Sequence, residues 1–206
     1  MAKFPEPPAA AALAKVAPDR AFLPAGTRLW RIYFQGGPFP AAWNTFRDFG
    51  PTNNRFDHHL EPPSVQSRAI LYASRRGLTC FAEVFQDGRT IDCSRREPWL
   101  VAFDLALPVT LLDLTGSWPT KARASVAINS GPRARARRWS RAIYDAYPAL
   151  EGLLYASSMD GNQPAVALYE RADALPARPV FHRALADAAM TSVVAEAAAE
   201  FKFAVV

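Results

Sequence analysis

The sequence predicts a single α+β domain with a mixed sheet at its core and helices flanking it. Three observations carry that expectation. Half of the 206 residues are hydrophobic and 12% are aromatic, enough to fill one core. Strand signals and helix signals both recur along the chain. No internal repeat is visible, and no linker is long or polar enough to divide it. The boundaries read from this are a lead-in over residues 1–27 and one domain over residues 28–206.

The lead-in MAKFPEPPAAAALAKVAP carries Pro5, Pro7 and Pro8 and lacks the Leu-rich run of a secretory signal, so it reads as a frayed or short helical segment. RLWRIYF, from Arg28 to Phe34, is aromatic and β-branched as strands are. Period 2 puts Arg31 on the face opposite Trp30 and Ile32. Gly36-Gly37-Pro38 forms a turn, followed by a weakly periodic stretch through Trp43 and Phe46. Gly50 to Pro63 is loop by composition. AILYAS, Ala69 to Ser74, is a second strand, and Ser74 is positioned to cap a helix reaching about Gln86. Leu78, Ala82 and Phe85 share one face of that helix, with Phe81 beside them and Glu83 at the border of the apolar face.

Trp99–Leu105 and Val109–Leu114 read as strands separated by Pro108. Residues 121–127 and 133–147 read as helices on either side of Ser130-Gly131-Pro132, the second ended by Pro148. GLLYAS (Gly152 to Ser157) and AVALYE (Ala165 to Glu170) make a strand pair around Asp160-Gly161-Asn162. An apolar helix within Ala184–Ala199 and a short strand in FKFAVV complete the chain.

Composition excludes several kinds of protein. The chain is too aromatic to be disordered, and no stretch approaches the ~20 apolar residues of a membrane-spanning helix. Cys80 and Cys93 are too few for a disulfide framework or a four-ligand zinc site, and read as reduced thiols of a cytoplasmic protein. His58 and His59 adjoin Asp57, but no further ligand lies nearby, so no metal is expected. Ser157 and Ser158 lack a nucleophile-elbow pattern, and there is neither a dinucleotide fingerprint nor a P-loop. Twenty-four Lys and Arg against nineteen Asp and Glu give a net charge of +5, suggesting an anionic ligand. Seven basic residues between Lys121 and Arg141, with no acidic one among them, fit a solvated helix face, a docking surface for an acidic partner or a nucleic-acid contact.

Five scattered residues remain: Arg31, Arg55, Tyr72, Glu83 and Ser157. Each has an ordinary structural explanation when taken singly. Together, the runs Leu-Trp-Arg-Ile-Tyr, Asn-Asn-Arg-Phe-Asp, Leu-Tyr-Ala-Ser, Ala-Glu-Val-Phe and Gly-Leu-Leu-Tyr-Ala-Ser, in that order over Arg28 to Glu170, resemble the RES domain family. Many of its members carry Gly-Gly-Arg-Trp-Asn where this chain reads Asn53-Asn54-Arg55-Phe56-Asp57. The arginine and an aromatic are kept. The glycines, which admit a close backbone approach, are not.

That resemblance implies a fold similar to the ADP-ribosyltransferase toxins and the role of a bacterial toxin in a toxin–antitoxin pair. The implied partner is a helix-turn-helix antitoxin that covers the active site. The substrate would be NAD, cleaved at the nicotinamide–ribose bond with water or inorganic phosphate as acceptor and with no further cofactor. Protein mono-ADP-ribosylation at the same site is the first alternative, and a non-catalytic basic nucleic-acid-binding protein the second. Glu83, Arg31 and Ser157 would be catalytic, while Arg31, Arg55, Tyr72 and Ser157 would bind the substrate. The chemistry suits them. Departing nicotinamide leaves positive charge on the ribose, which an ionised Glu83 would stabilise. Arg31 and Arg55 would fork onto the diphosphate, and Tyr72 would offer its face to the nicotinamide ring.

Overall fold

The computed structural model describes residues 4–206. Its elements are α1 (Ala10–Leu13), β1 (Arg20–Leu23), β2 (Arg28–Phe34), β3 (Arg47–Gly50), β4 (Ser64–Ser74), α2 (Gly77–Phe85) and β5 (Thr90–Ile91). They continue with β6 (Pro98–Asp104), β7 (Val109–Asp113), α3 (Trp118–Lys121), α4 (Arg133–Ala146), β8 (Gly152–Ala156), β9 (Pro164–Tyr169), β10 (Phe181–Ala184), α5 (Thr191–Phe201) and β11 (Ala204–Val205). Among the described residues nine strands form one mixed sheet in the order β1-β7-β8-β9-β4-β2-β6-β10, with β3 added along β4. Only β7 and β8 run parallel within it. The expected single α+β domain with a mixed sheet and flanking helices is therefore the fold.

Apolar clusters fill both faces. On one, Ile70, Leu153, Ala167 and Tyr169 meet Trp139 and Ile143 of α4. On the other, Leu71, Leu111, Val166 and Leu168 meet Leu29 and Phe103. A third cluster packs Phe81 and Phe85 of α2 against Ile32, Leu100 and Val194.

The sheet is not evenly joined. β2 follows β6 over seven register pairs and β4 follows β9 over five. Between β2 and β4 only Trp30 and Ser74 pair. Beyond that point the two strands diverge, and β4 takes β3 as its neighbour instead. A cavity opens in this divergence.

Several local expectations need correction. Ser74 does not cap a helix. It is the last residue of β4, held there by the pairing with Trp30, and its Oγ accepts from Arg76 N at 3.2 Å. α2 starts only at Gly77. The helix expected over 121–127 is broken: α3 ends at Lys121, Arg123 turns to φ +62°, and a 3-10 turn follows over Val126–Ile128. The weakly periodic stretch after Phe34 ends in a strand, β3, and the segment before residue 28 contributes β1 to the main sheet. Of the two forms expected for the lead-in, the short helix is the one present, as α1, and it is packed rather than frayed. Leu13 is fully buried, Phe4 stacks on Trp139, and Tyr147 Oη donates to the carbonyls of Leu13 and Val16 at 2.8 Å each. No helix among the described residues is long and apolar enough to cross a membrane.

Candidate active site

The gap between β2 and β4 is the floor of a cavity of about 820 Å³, within the usual ~300–1,000 Å³ range of small-molecule sites. Arg31, Arg55, Tyr72 and Glu83 all line it. Ser157 lies directly behind Glu83: its Oγ donates to Glu83 Oε1 at 2.5 Å. Five residues spread over 127 positions of sequence thus converge on one pocket.

Each side chain is placed by identifiable local structure. Arg31 projects from β2 where that strand has left β4, and its Nη1 donates to the carbonyls of Trp43 (2.8 Å) and Thr45 (3.2 Å). Burial lowers its pKa to about 10, so it stays cationic at neutral pH. Tyr72 comes from β4 on the opposite side of the gap. Its hydroxyl is buried without a hydrogen-bond partner, and burial pushes its pKa up.

Arg55 rides on the loop after β3, which would wander were it not clamped at several points. Asp57 is fully buried and its carboxylate accepts from Arg47 Nη2 (2.9 Å), Thr52 N (2.6 Å), Thr52 Oγ1 (2.8 Å) and the His59 ring. Burial opposes that charge, but these donors together outweigh it and hold the carboxyl well below the usual range. Phe56 plugs the core beneath, its ring 4.8 Å from that of Tyr155, and its carbonyl accepts from Ser140 Oγ at 2.7 Å. Gly50 is required at the start of the loop: a Cβ there would lie 2.5 Å from His59 Cγ. Arg55 itself donates to the carbonyl of Gly131, just ahead of α4.

Glu83 is held on α2 with its carboxylate in a largely dehydrated position. Burial raises its pKa, while the bond from Ser157 and the charges of Arg55 and Arg133 pull the other way. Ser157 is fully buried, and its oxygen also accepts from Met159 N (3.2 Å) and Asp160 N (3.1 Å). With both acceptor positions used, its one proton is committed to Glu83. Ser157 therefore fixes the carboxylate and favours its ionised form.

Other lining residues escaped the sequence reading. Tyr155 lies on β8, two residues before Ser157, which follows just past the end of that strand. Arg47 lines the cavity from β3. Arg133 belongs to the basic run, yet it faces inward and donates to Gln86 Oε1 at 2.6 Å beside the C-terminal end of α2. The rest of that run is largely engaged too. Arg135 and Arg138 pair with Glu6, Arg137 donates to Asn53 Oδ1 and Arg141 reaches the His59 carbonyl. Most arginines of the helix thus have partners within the chain, several of them in solvent-exposed pairs. At the mouth of the cavity Phe39 stacks on Phe49, with ring centroids 6.1 Å apart. His58 stacks on Tyr144 and His59 bonds Asp57, and no cluster of three or more metal-ligating side chains occurs among the described residues.

Comparison with known proteins adds two findings. The family model of the RES domain matches residues 28–189. The solved structure of the Mycobacterium tuberculosis MbcT–MbcA toxin–antitoxin complex contains a chain of similar fold, with a TM-score of 0.57 at 12% identity, covering 90% of this chain and 97% of that one. No curated protein matches.

Proposed function

The chain belongs to the RES domain family, and from that premise we propose that it is a toxin that consumes NAD by cleaving the bond between nicotinamide and ribose. One observation carries the reading: a partly buried carboxylate, Glu83, is oriented by a buried serine at the base of a cavity whose walls supply arginines and a tyrosine ring.

The bond to be broken already has a cationic leaving group, so no acid is needed to expel nicotinamide. The C–N electron pair moves to the pyridine nitrogen and cancels its charge, and positive charge develops on the ribose. Ionised Glu83 accepts hydrogen bonds from the ribose hydroxyls and stabilises that charge in a site where water screens little. Ser157 keeps the carboxylate in one orientation. Arg31 and Arg55 bind the diphosphate, and the cavity supplies Arg47 and Arg133 alongside them. Tyr72 holds the nicotinamide ring against its face. A water or inorganic phosphate oxygen then bonds to the ribose carbon, and water releases its extra proton to solvent.

The similar solved structure is that of a toxin with its antitoxin. That supports a cognate antitoxin as the partner of this chain; its helix-turn-helix kind and its place over the cavity mouth are what the family resemblance implies. The deciding experiment mixes the purified protein, free of any antitoxin, with NAD in buffers with and without inorganic phosphate. Nicotinamide accumulates in at least one buffer, with ADP-ribose or its phosphorylated form as co-product. Intact NAD in both buffers overturns the reading. Label transferred to proteins of a cell lysate, with little free ADP-ribose, replaces it by protein ADP-ribosylation.

A further inference from the structure

The proposed mechanism leaves one buried polar pair unused. Thr79 is fully buried, Asp160 is 7% exposed, and Thr79 Oγ1 donates to Asp160 Oδ2 at 2.6 Å. Thr79 and Glu83 lie one turn apart on the same face of α2. Their partners, Asp160 and Ser157, lie three residues apart in the turn that follows β8. The two bonds therefore form parallel rungs between helix and turn. Inside the turn they are linked, because the Asp160 backbone N–H donates to Ser157 Oγ.

A second feature singles out Asp160. α2 has no acidic residue in its first turn and no side-chain cap, so its positive end lacks the usual local complement. Asp160 supplies it from across the fold, arriving at the third helical residue with Arg76 Nη1 3.6 Å from the same oxygen. A carboxylate this buried persists only when so paired.

We propose that Asp160, acting through Thr79, is a positioning residue that locks the rotation of α2 so that Glu83 stays aligned with Ser157 and the cavity. The inference rests on Glu83 being the reacting carboxylate. It also has an electrostatic consequence. Glu83 is faced by Arg55 from the clamped loop, Arg133 from α4, Tyr155 from β8 and Cys80 from its own helix. Asp160 is the negative charge in that set, and it raises the pH at which Glu83 ionises.

Three variants test this. Thr79→Val keeps the shape and deletes the rung, Thr79→Ser restores a hydroxyl, and Asp160→Asn keeps an acceptor for Thr79 while removing the charge. For nicotinamide release, Thr79→Val lowers kcat about 10- to 100-fold, the range expected of a misplaced catalytic group, with KM little changed. Thr79→Ser recovers most of the loss. Asp160→Asn moves the Glu83 carboxyl titration, followed by NMR of the folded protein, to lower pH. The acid limb of the rate profile moves with it. Wild-type kcat in Thr79→Val, or an unmoved Glu83 titration in Asp160→Asn, overturns the proposal. Because the NMR titration needs no turnover, it separates failure of this inference from failure of the NAD reading.

Discussion

Glu83 concentrates the functional argument in one side chain. Its pKa is raised, so the folded protein holds that proton more tightly than the unfolded chain does. The stability attached to protonation is present below the ordinary glutamate value and is lost as pH rises through the folded one. At neutral pH the partly buried charge is thus a burden on the fold. Glu83→Gln removes it while keeping an acceptor for the Ser157 hydroxyl. The variant is expected to lose most nicotinamide release yet melt at a higher temperature than wild type at pH 7, with the gap closing on acidification. Calorimetry across pH checks this, and a Glu83→Gln variant that melts below wild type at pH 7 refutes it. The sequence disclosed Glu83 only through family resemblance. Its place at the border of the apolar face of α2 was legible from helical spacing, but the serine beneath it, 74 residues away, belongs to a different element.

Among the elements, the long central strands were the easiest to foresee. β2, β6 and β9 combine β-branched and aromatic residues over six or seven positions, so pattern and propensity agree. β1, β3 and β10 span four residues each, too few to display a period, and they exist because a neighbouring strand offers a ladder. Ser74 shows the same override of local preference by a tertiary pairing. The amino-terminal segment holds the short helix that was one of its two expected forms, but its packing was not foreseen: it straps α4 from outside. Trp139 Nε1 donates to the Pro5 carbonyl at 2.9 Å, and Leu13 is buried within the α4 core. Leu13→Ala should therefore destabilise by about 2–5 kcal/mol, the usual penalty for a core cavity. Glu6→Gln, which touches only exposed ion pairs, should leave the urea midpoint nearly unchanged. Equal effects from the two substitutions would mean that the strap does not pack as described.

For the molecule as a whole, two buried or half-buried carboxylates set the response to acid. Burial works against both, but Asp57 is held below its ordinary range by His59, Arg47 and Thr52, and Glu170 is drawn down to about 2 by His58, Tyr144 and the Ala69 amide. Depressed values carry stability that is present above the unfolded pKa and disappears as pH falls toward the folded one. The melting temperature should accordingly decline below about pH 4. Asp57→Asn should be less stable than wild type at pH 7 and should converge on it in acid, the reverse of Glu83→Gln. A constant offset at every pH would remove Asp57 from that role. None of this was legible beforehand, since Asp57 and His59 looked like loop residues and their burial depends on elements far along the chain.

The parting of β2 from β4 has a consequence for how such a protein can change. The bottom of the gap is laid down by two strands whose outer edges are already committed to β6 and β9, so it is framework and resists alteration. The doorway is built instead from the connection between β2 and β4, with Phe39 and Phe49 as its posts. A lineage could refurnish that doorway to suit a new guest or a new guard while the hearth behind it stayed as it was.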